Sequence, residues 1–470
     1  MRYRIIISFF AVTLFALIIT TGGPGCANII PPEGGFRDTL GPVLLKANPR
    51  DSTLNFQGNK ITLTFDEFVQ LDNFMQNVLV SPIPRSVPNA NYKLNTVTIR
   101  LRDSLEANTT YSIDFGNAIK DVNEGNIMKG FRYVFSTGPS IDSLSFGGNV
   151  LLAESGKADS TLIVILHKSS QDSAILKEKP RYMAKLNGKG GFLFSNLPAD
   201  TFYVYAMKDD SRTYRYDAKK LFAFADSPIV AQNNTPQKTL YAYVTAKATE
   251  TTSATSSGTT GQRNAADKRL KFQTTTTASK QDLLKKFSFT FERPLRQFDS
   301  SKVRFATDTV FTPIRNYSWS LDSTKKKLAL NYTWSENTLY HLILEKEFAT
   351  DTLGQQMLRP DTITFITMKN SDYGKLAIRF RNLDMAKNPV LQFVQSETVT
   401  ASFPLNAVTF SQELFPPGEY DLRILQDANK NGVWDPGEFF GRHRQPELVT
   451  PVQRKISVKP NWENEFEIAL

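Results

Sequence analysis

Cysteine is almost absent. The 470 residues contain one, Cys26, so no internal disulfide can form. Histidine is nearly as scarce: His167, His341 and His443 lie far apart in the chain, and a thiolate or imidazole metal site, or a Cys/His dyad, has few residues to draw on. There is no Gly-x-Ser-x-Gly elbow, no phosphate-cradling glycine loop and no zinc-ligand spacing, which removes the sequence signals of several enzyme classes. Beyond the N-terminal segment no long stretch sustains a 3.6-residue period, which argues against a helical bundle. Acidic residues are outnumbered, 46 Asp and Glu against 56 Lys and Arg, for a net charge of +10. The basic residues are scattered, with Lys325-Lys326-Lys327 the densest run, so the excess reads as solvated faces and not as a nucleic-acid surface.

What is present begins at the N-terminus. A basic start, Met1-Arg2-Tyr3-Arg4, leads into an apolar run from Ile5 to Ile19, then Gly22-Gly23-Pro24-Gly25 and Cys26. Basic region, apolar region and small-residue site in that order are the anatomy of an export signal. With a lone cysteine directly after it, the chain resembles a bacterial lipoprotein precursor, although Gly23 stands where that family usually carries a leucine. The resemblance implies a signal peptide over 1–25, lipidation of Cys26 as the mature N-terminus, and a Pro/Gly-rich tether over 26–37. It also implies a cell-envelope protein anchored in the outer membrane by its lipid, with an envelope protein or polysaccharide as partner. Periplasmic and surface-facing placement both stay open.

The mature chain reads as β throughout. Alternation is clear at Ile61-Thr62-Leu63-Thr64-Phe65, Val97-Thr98-Ile99-Arg100-Leu101 and Tyr111-Ser112-Ile113-Asp114-Phe115, with Asn, Asp, Gly and Pro between the runs. Landmarks then recur in order. Thr110 to Ile113, Asp121 to Asn126 and Phe135-Ser136-Thr137 answer Leu339 to Leu342, Asp351 to Gln355 and Phe365-Ile366-Thr367. Phe194 to Val204 likewise answers Phe410 to Leu422 with a short insertion. The arrangement is A-B-A-B. Ala248 to Gly261, rich in Thr and Ser with no aromatic or large apolar residue, cannot offset its ordering entropy, and the stretch 245–281 is expected to be a disordered linker dividing two A-B halves. Within it, Leu270-Lys271-Phe272 reads as a stray strand.

The first A unit, 38–138, resembles the bacterial Ig-like domain of SbsA type through Gly41-Pro42-Val43, Asn48-Pro49, Asp66-Glu67-Phe68 and Asp121 to Asn126. The second, 282–370, lacks the Pro-rich opening. The B units, 139–244 and 371–470, resemble transthyretin-like or collagen-adhesin B-type sandwiches through Gly191-Phe192 before Leu197-Pro198, and through Pro417-Gly418-Glu419-Tyr420. The expected fold is all-β, tandem Ig-like sandwiches. These resemblances imply a non-catalytic spacer, interaction or adhesion module.

The sharpest chemical motif is Asp427-Ala428-Asn429-Lys430-Asn431-Gly432-Val433-Trp434-Asp435-Pro436-Gly437-Glu438. Oxygen-bearing side chains fall at positions 1, 3, 5, 9 and 12 with glycine at 6, the spacing of an EF-hand-type calcium loop, here between strands. Asp427, Asn429, Asn431 and Glu438 would ligate by side chain, Val433 by its carbonyl and Asp435 through water. Asx turns and an Asn431-Gly432 hairpin would produce the same loop without metal. The first B unit offers a control, Asp209 to Lys220, in which Tyr214 takes the glycine position and Lys220 the bidentate one.

Three weaker patterns complete the reading. Tyr203, Tyr205, Tyr214 and Tyr216 are the candidate aromatic row of an alternative function, carbohydrate-binding accessory protein. Asp66, Glu67 and Glu124 are acids near strand ends, with nothing to select a catalytic pair, so the chain is read as no enzyme. Asp-Ser/Thr triplets such as Asp38-Thr39-Leu40 and Asp308-Thr309-Val310 resemble bacterial O-glycosylation acceptors and are equally good turn formers.

Overall fold

The computed structural model describes residues 37–245 and 269–470. The signal peptide, Cys26, the tether up to residue 36 and residues 246–268 of the expected linker lie outside the described residues. Among those described, strands dominate and no helix is long and apolar enough to cross a membrane.

Two compact bodies result. One ends at Ile141, and the other runs from Asp142 to Leu470. The first is the A unit alone. Its alternating strand Lys60–Phe65 turns Ile61, Leu63 and Phe65 inward at full burial and pairs with Leu44–Asn48 on one side and Thr96–Arg100 on the other. A facing sheet orders Leu79–Ser81, Thr110–Asp114 and Arg132–Ser136, and the core closes on Tyr111, Ile113, Tyr133 and Phe135.

The second A unit repeats this plan, down to single hydrogen bonds. The Tyr111 hydroxyl accepts from the Glu106 N–H at 2.9 Å, as Tyr340 does from Ser335 at 3.3 Å. Thr137 Oγ1 donates to the Glu106 carbonyl, and Thr367 Oγ1 to that of Ser335, each at 2.6 Å. One expectation needs correction here. Residues 270–281, assigned to the linker on composition, carry the strands Phe272–Thr274 and Lys280–Gln281, paired with Phe287–Phe291 and Asp361–Thr367. The cause is Phe272, whose ring lies against Phe289 and Phe291 at 5.1 and 5.7 Å; one aromatic anchors a stretch that its threonines alone would leave unpaired.

The B units also match strand for strand. In the first, Leu144–Leu152 runs parallel to Lys238–Ala242 and antiparallel to Gly191–Leu197. In the second, Gly374–Arg381 runs parallel to Glu463–Ala469 and antiparallel to Thr409–Phe415. The opposing sheet is built on Leu162–His167 and Thr201–Lys208 in one copy, and on Pro389–Gln395 and Gly418–Gln426 in the other. Each sandwich has its own core.

The expected division into two A-B halves is not what the chain does. The two B units pack on each other. Ile165, Ile175, Tyr205, Met207, Phe222, Phe224 and Tyr243 of the first share one buried cluster with Val390, Leu425, Trp434, Phe439 and Val449 of the second. The Val449 N–H donates to the Ala153 carbonyl at 3.0 Å across this contact. Gly156 permits the approach: a Cβ there would stand 2.4 Å from Pro451 Cδ, and its φ of +67° suits glycine. The physical reason is that the outer face of the first B unit's sheet is as apolar as its inner face, and such a face must be covered.

Candidate functional site

The Asp427–Glu438 loop leaves the end of strand Gly418–Gln426 and lies at this contact. Asp427, 2% exposed, accepts from the Gly432 and Asn431 N–H groups at 2.6 and 3.2 Å. Asn429 Oδ1 accepts from the Asn431 N–H at 3.0 Å, and Asn431 Oδ1 from Val433 at 2.7 Å. Both amide Nδ2 groups donate to Asp435 Oδ2, at 2.6 and 2.7 Å. Four of the six expected residues, Asp427, Asn429, Asn431 and Asp435, thus converge.

Glu438 does not join them. Its backbone pairs with Arg444, and its carboxylate lies 3.7 Å from Arg442 Nε. The acid that closes the loop is Glu447, which the motif spacing missed. Its Oε1 accepts from the Ala428 N–H at 2.8 Å and its Oε2 from Asp435 at 3.1 Å, while its carbonyl accepts from Trp434 Nε1 at 2.8 Å. Burial pushes the Glu447 carboxyl up, the two N–H donors oppose this, and Asp427 and Asp435 add to the rise. Val433 contributes its N–H to the turn, and its side chain is exposed.

The donor types are those of a hard-cation site, but the carboxylates of Asp427, Asp435 and Glu447 are not drawn together as those of Glu67, Asp121 and Glu124 are, whose oxygens lie within 4.8 Å of one another. Aspartate, glutamate and amide oxygens are what Ca²⁺ takes. With the two amides turned over, Asn429 and Asn431 would present oxygens where their N–H groups now serve Asp435. The control loop of the first B unit keeps the backbone role alone. Asp209 accepts from the Tyr214 and Thr213 N–H groups at 2.7 and 3.1 Å, and Tyr214 adopts the positive φ, +54°, that Gly432 has at +76°.

A second acidic group lies in the first body. Glu67, Asp121 and Glu124 bring one carboxylate oxygen each within 4.8 Å of the others. Asp121 is fully buried; burial raises its carboxyl, but the Gly125, Glu124 and Asn126 N–H groups outweigh this and hold it below the usual carboxylate range. Glu67 moves the other way, raised first by burial and then by the charges of Asp121, Asp66, Asp38 and Glu124. Asp66 is separate from this group and accepts from the Val43 N–H at 2.8 Å. In the second A unit the Glu67 position is Arg293, 3.7 Å from Asp351, so a guanidinium balances the charge there.

The tyrosine row is not displayed. Tyr205 is 5% exposed, and Tyr203, Tyr214 and Tyr216 are half-buried against the B–B cluster, with Tyr205 meeting Phe439 at 5.6 Å and Tyr216 meeting Phe440 at 5.1 Å. Of the Asp triplets, Asp38 and Asp308 accept the N–H two residues on, at 2.9 Å each.

Residues 38–137 match the family described as bacterial Ig-like domain. No curated protein matches the chain. Among solved structures, the chain is similar to native alpha-2-macroglobulin from Escherichia coli, domains MG0-NIE-MG1, at 12% identity over 42% of this chain and 92% of that one, TM-score 0.20. It is similar to the N-terminal part of the bacterial S-layer protein SbsC at 15% identity over 37% and 42%, TM-score 0.16. It is also similar to BcpA, the major pilin subunit of Bacillus cereus, at 8% identity over 69% and 99%, TM-score 0.17. Superpositions this loose carry no functional information. With the sheet pairings above, the family match makes the first body a bacterial Ig-like domain at the head of an all-β chain of sandwiches.

Proposed function

We propose that the chain is a non-catalytic, lipid-anchored protein of the cell envelope, a structural spacer and interaction module held in the outer membrane by an acylated Cys26. The observation that supports it is the employment of the polar groups. Asp66, Asp121, Asp209, Asp351 and Asp427 all spend their carboxylates on backbone N–H groups of turns, and His341 is held between Thr364 Oγ1 at 2.9 Å and the Asp308 carbonyl at 3.0 Å. Groups employed in this way build the turns that hold the sandwiches together. An envelope protein or a polysaccharide is the partner class; the glycan-binding alternative loses its platform, since the tyrosines face the neighbouring B unit. Metabolic fatty-acid labelling with fractionation, comparing wild type with Cys26→Ala, tests the anchor. Label and membrane association should both be lost in the variant; a native polypeptide that keeps Met1 and bears no acyl chain would overturn it.

We also propose that calcium, by drawing Asp427, Asn429, Asn431, Asp435 and Glu447 together, binds the loop of the second B unit with affinity in the roughly 10⁻⁴–10⁻³ M class of extracellular modules. Titration of the full chain with CaCl2, against Asp435→Ala, tests it.

A further inference from the structure

The first body receives the chain from Cys26 at one end and hands it on at the other. At the entry end Val43 exchanges hydrogen bonds with Asp66, its N–H donating to Asp66 Oδ1 at 2.8 Å and its carbonyl accepting from the Asp66 N–H at 3.1 Å. Backbone bonds extend this end, from the Val69 N–H to the Leu94 carbonyl and from the Val122 N–H to the Phe68 carbonyl, each at 3.0 Å. Val43, Phe68, Leu94 and Val122 are thereby neighbours, and they are 56, 54, 62 and 49% exposed, with Leu40 just ahead of them at 72%. The exit lies elsewhere: the Gly138 carbonyl accepts from the Asn55 N–H at 3.0 Å, and Thr137 shares a cavity with Asn59 and Leu101, beyond the opposite ends of strands Lys60–Phe65 and Thr96–Arg100.

The fold does not require apolar residues at these positions. The second A unit makes the same three backbone bonds with other side chains: the Glu292 N–H donates to the Lys271 carbonyl at 3.1 Å, Leu295 to Lys325 at 2.8 Å and Thr352 to Pro294 at 3.1 Å. Lys271, Pro294, Lys325 and Thr352 thus stand where the first body has Val43, Phe68, Leu94 and Val122. Exposed apolar residues clustered on loop tips mark a contact surface, and of the two copies it is the one next to the tether that carries them.

We propose that this end of the first body docks on the lipid surface that holds Cys26, with Phe68, Leu94 and Val122 entering the boundary between headgroups and acyl chains. The proposal rests on the reading of Cys26 as acylated and adds which face of the protein meets the lipid. The reach of the chain argues for that occupant: Arg37 follows Cys26 by eleven residues, which span at most about 40 Å, so an anchored Cys26 holds the entry end close to the membrane at high effective concentration. Charge selects the headgroup. Asp38, Asp66, Asp121 and Glu124 all lie near enough to act on the Glu67 carboxyl, and an end with gathered acids favours zwitterionic lipid over anionic lipid.

The test uses the full acylated chain in phosphatidylcholine vesicles with brominated acyl chains, and a tryptophan placed either at the entry end, by Phe68→Trp or Val122→Trp, or at the exit end, by Leu54→Trp, a position 43% exposed. Flotation reports the anchor, and quenching reports the docking. The chain should float with the vesicles, and the emission added by either entry-end tryptophan should be quenched while that of Leu54→Trp persists. Leu94→Lys combined with Val122→Thr, the residues that the second A unit carries, should weaken the docking about tenfold, read as lost quenching of Phe68→Trp. Phosphatidylglycerol added to the vesicles should weaken it as well, and stronger quenching there would overturn the choice of headgroup. A chain that floats with its entry and exit reporters quenched alike, or not at all, leaves the anchor standing and refutes the docking. A chain that neither floats nor is quenched overturns both. A dimer in detergent that the Leu94→Lys, Val122→Thr pair dissociates would give this end to a second copy and refute the lipid.

Discussion

Phe439→Ala is the substitution that most directly weighs the contact between the B units. The ring is 3% exposed and belongs to the shared cluster, not to the core of either sandwich, so its loss should fall on the docking of the two units. Burying and then deleting such a ring costs about 3–5 kcal/mol, and the lower end applies because Phe440 beside it is 37% exposed and water can enter the gap. Spread over two units that melt together, about 3 kcal/mol at roughly 2–4 °C per kcal/mol lowers their transition by about 6–12 °C. Differential scanning calorimetry of the full chain is the assay. Limited proteolysis should then find the newly exposed faces of Thr201–Lys208 and Phe222–Phe224. Phe311→Ala, at a ring 46% exposed on the second A unit, should shift the same transition far less. A melting point for Phe439→Ala within a degree of wild type, with unchanged protease resistance, would refute the claim that this cluster holds the units together.

Gly437→Ala should open the same contact, because its methyl would meet Tyr243 Cζ at 2.6 Å and the Arg444 carbonyl at 2.9 Å, whereas Gly432→Ala meets nothing within 4 Å and should cost only about 1 kcal/mol of left-handed backbone; chemical denaturation orders the two. Burial lowers the His167 imidazole to about 4, so the fold keeps it neutral while the unfolded chain protonates near 6.5; stability should fall by roughly 3 kcal/mol as pH drops from 6.5 to 4, and His167→Phe should flatten that slope in denaturation curves. Glu67, with its folded carboxyl raised, favours folding only when protonated. Glu67→Gln should therefore stabilise the first body at pH 7 and gain nothing below the carboxylate range, while Asp121→Asn, whose parent is held low, should destabilise at pH 7 and lose that effect only as pH falls below the ordinary carboxylate value; thermal melts over an acid pH series separate the two.

Much of the architecture was legible because it is written at short range. Period-two runs such as Ile61 to Phe65 announce strands, and the Tyr111/Tyr340 and Thr137/Thr367 landmarks recur because each makes the same bond in both copies. The B–B contact was hidden by its length scale: no local rule joins Tyr205 to Phe439. A signal was nonetheless present in Leu162-Ile163-Val164-Ile165-Leu166 and Phe222-Ala223-Phe224, which are apolar on both faces where a sandwich strand with one solvated face should alternate. The loop was read from its spacing, and spacing cannot reach Glu447, which arrives nine residues after the motif through the pairing of Glu438 with Arg444. Glu67 and Asp121 were likewise separated by distance in sequence; setting the two A units side by side, where Arg293 replaces Glu67 opposite Asp351, would have flagged them.

Because the two B sandwiches grip each other, tension applied between Asp142 and Leu470 would run through their apolar seam and bypass the intervening Ig-like unit. That unit contributes no residue to the buried cluster that joins the B sandwiches. Because each B sandwich keeps a core of its own, parting the seam and unravelling a sandwich are separate events with separate sets of buried residues.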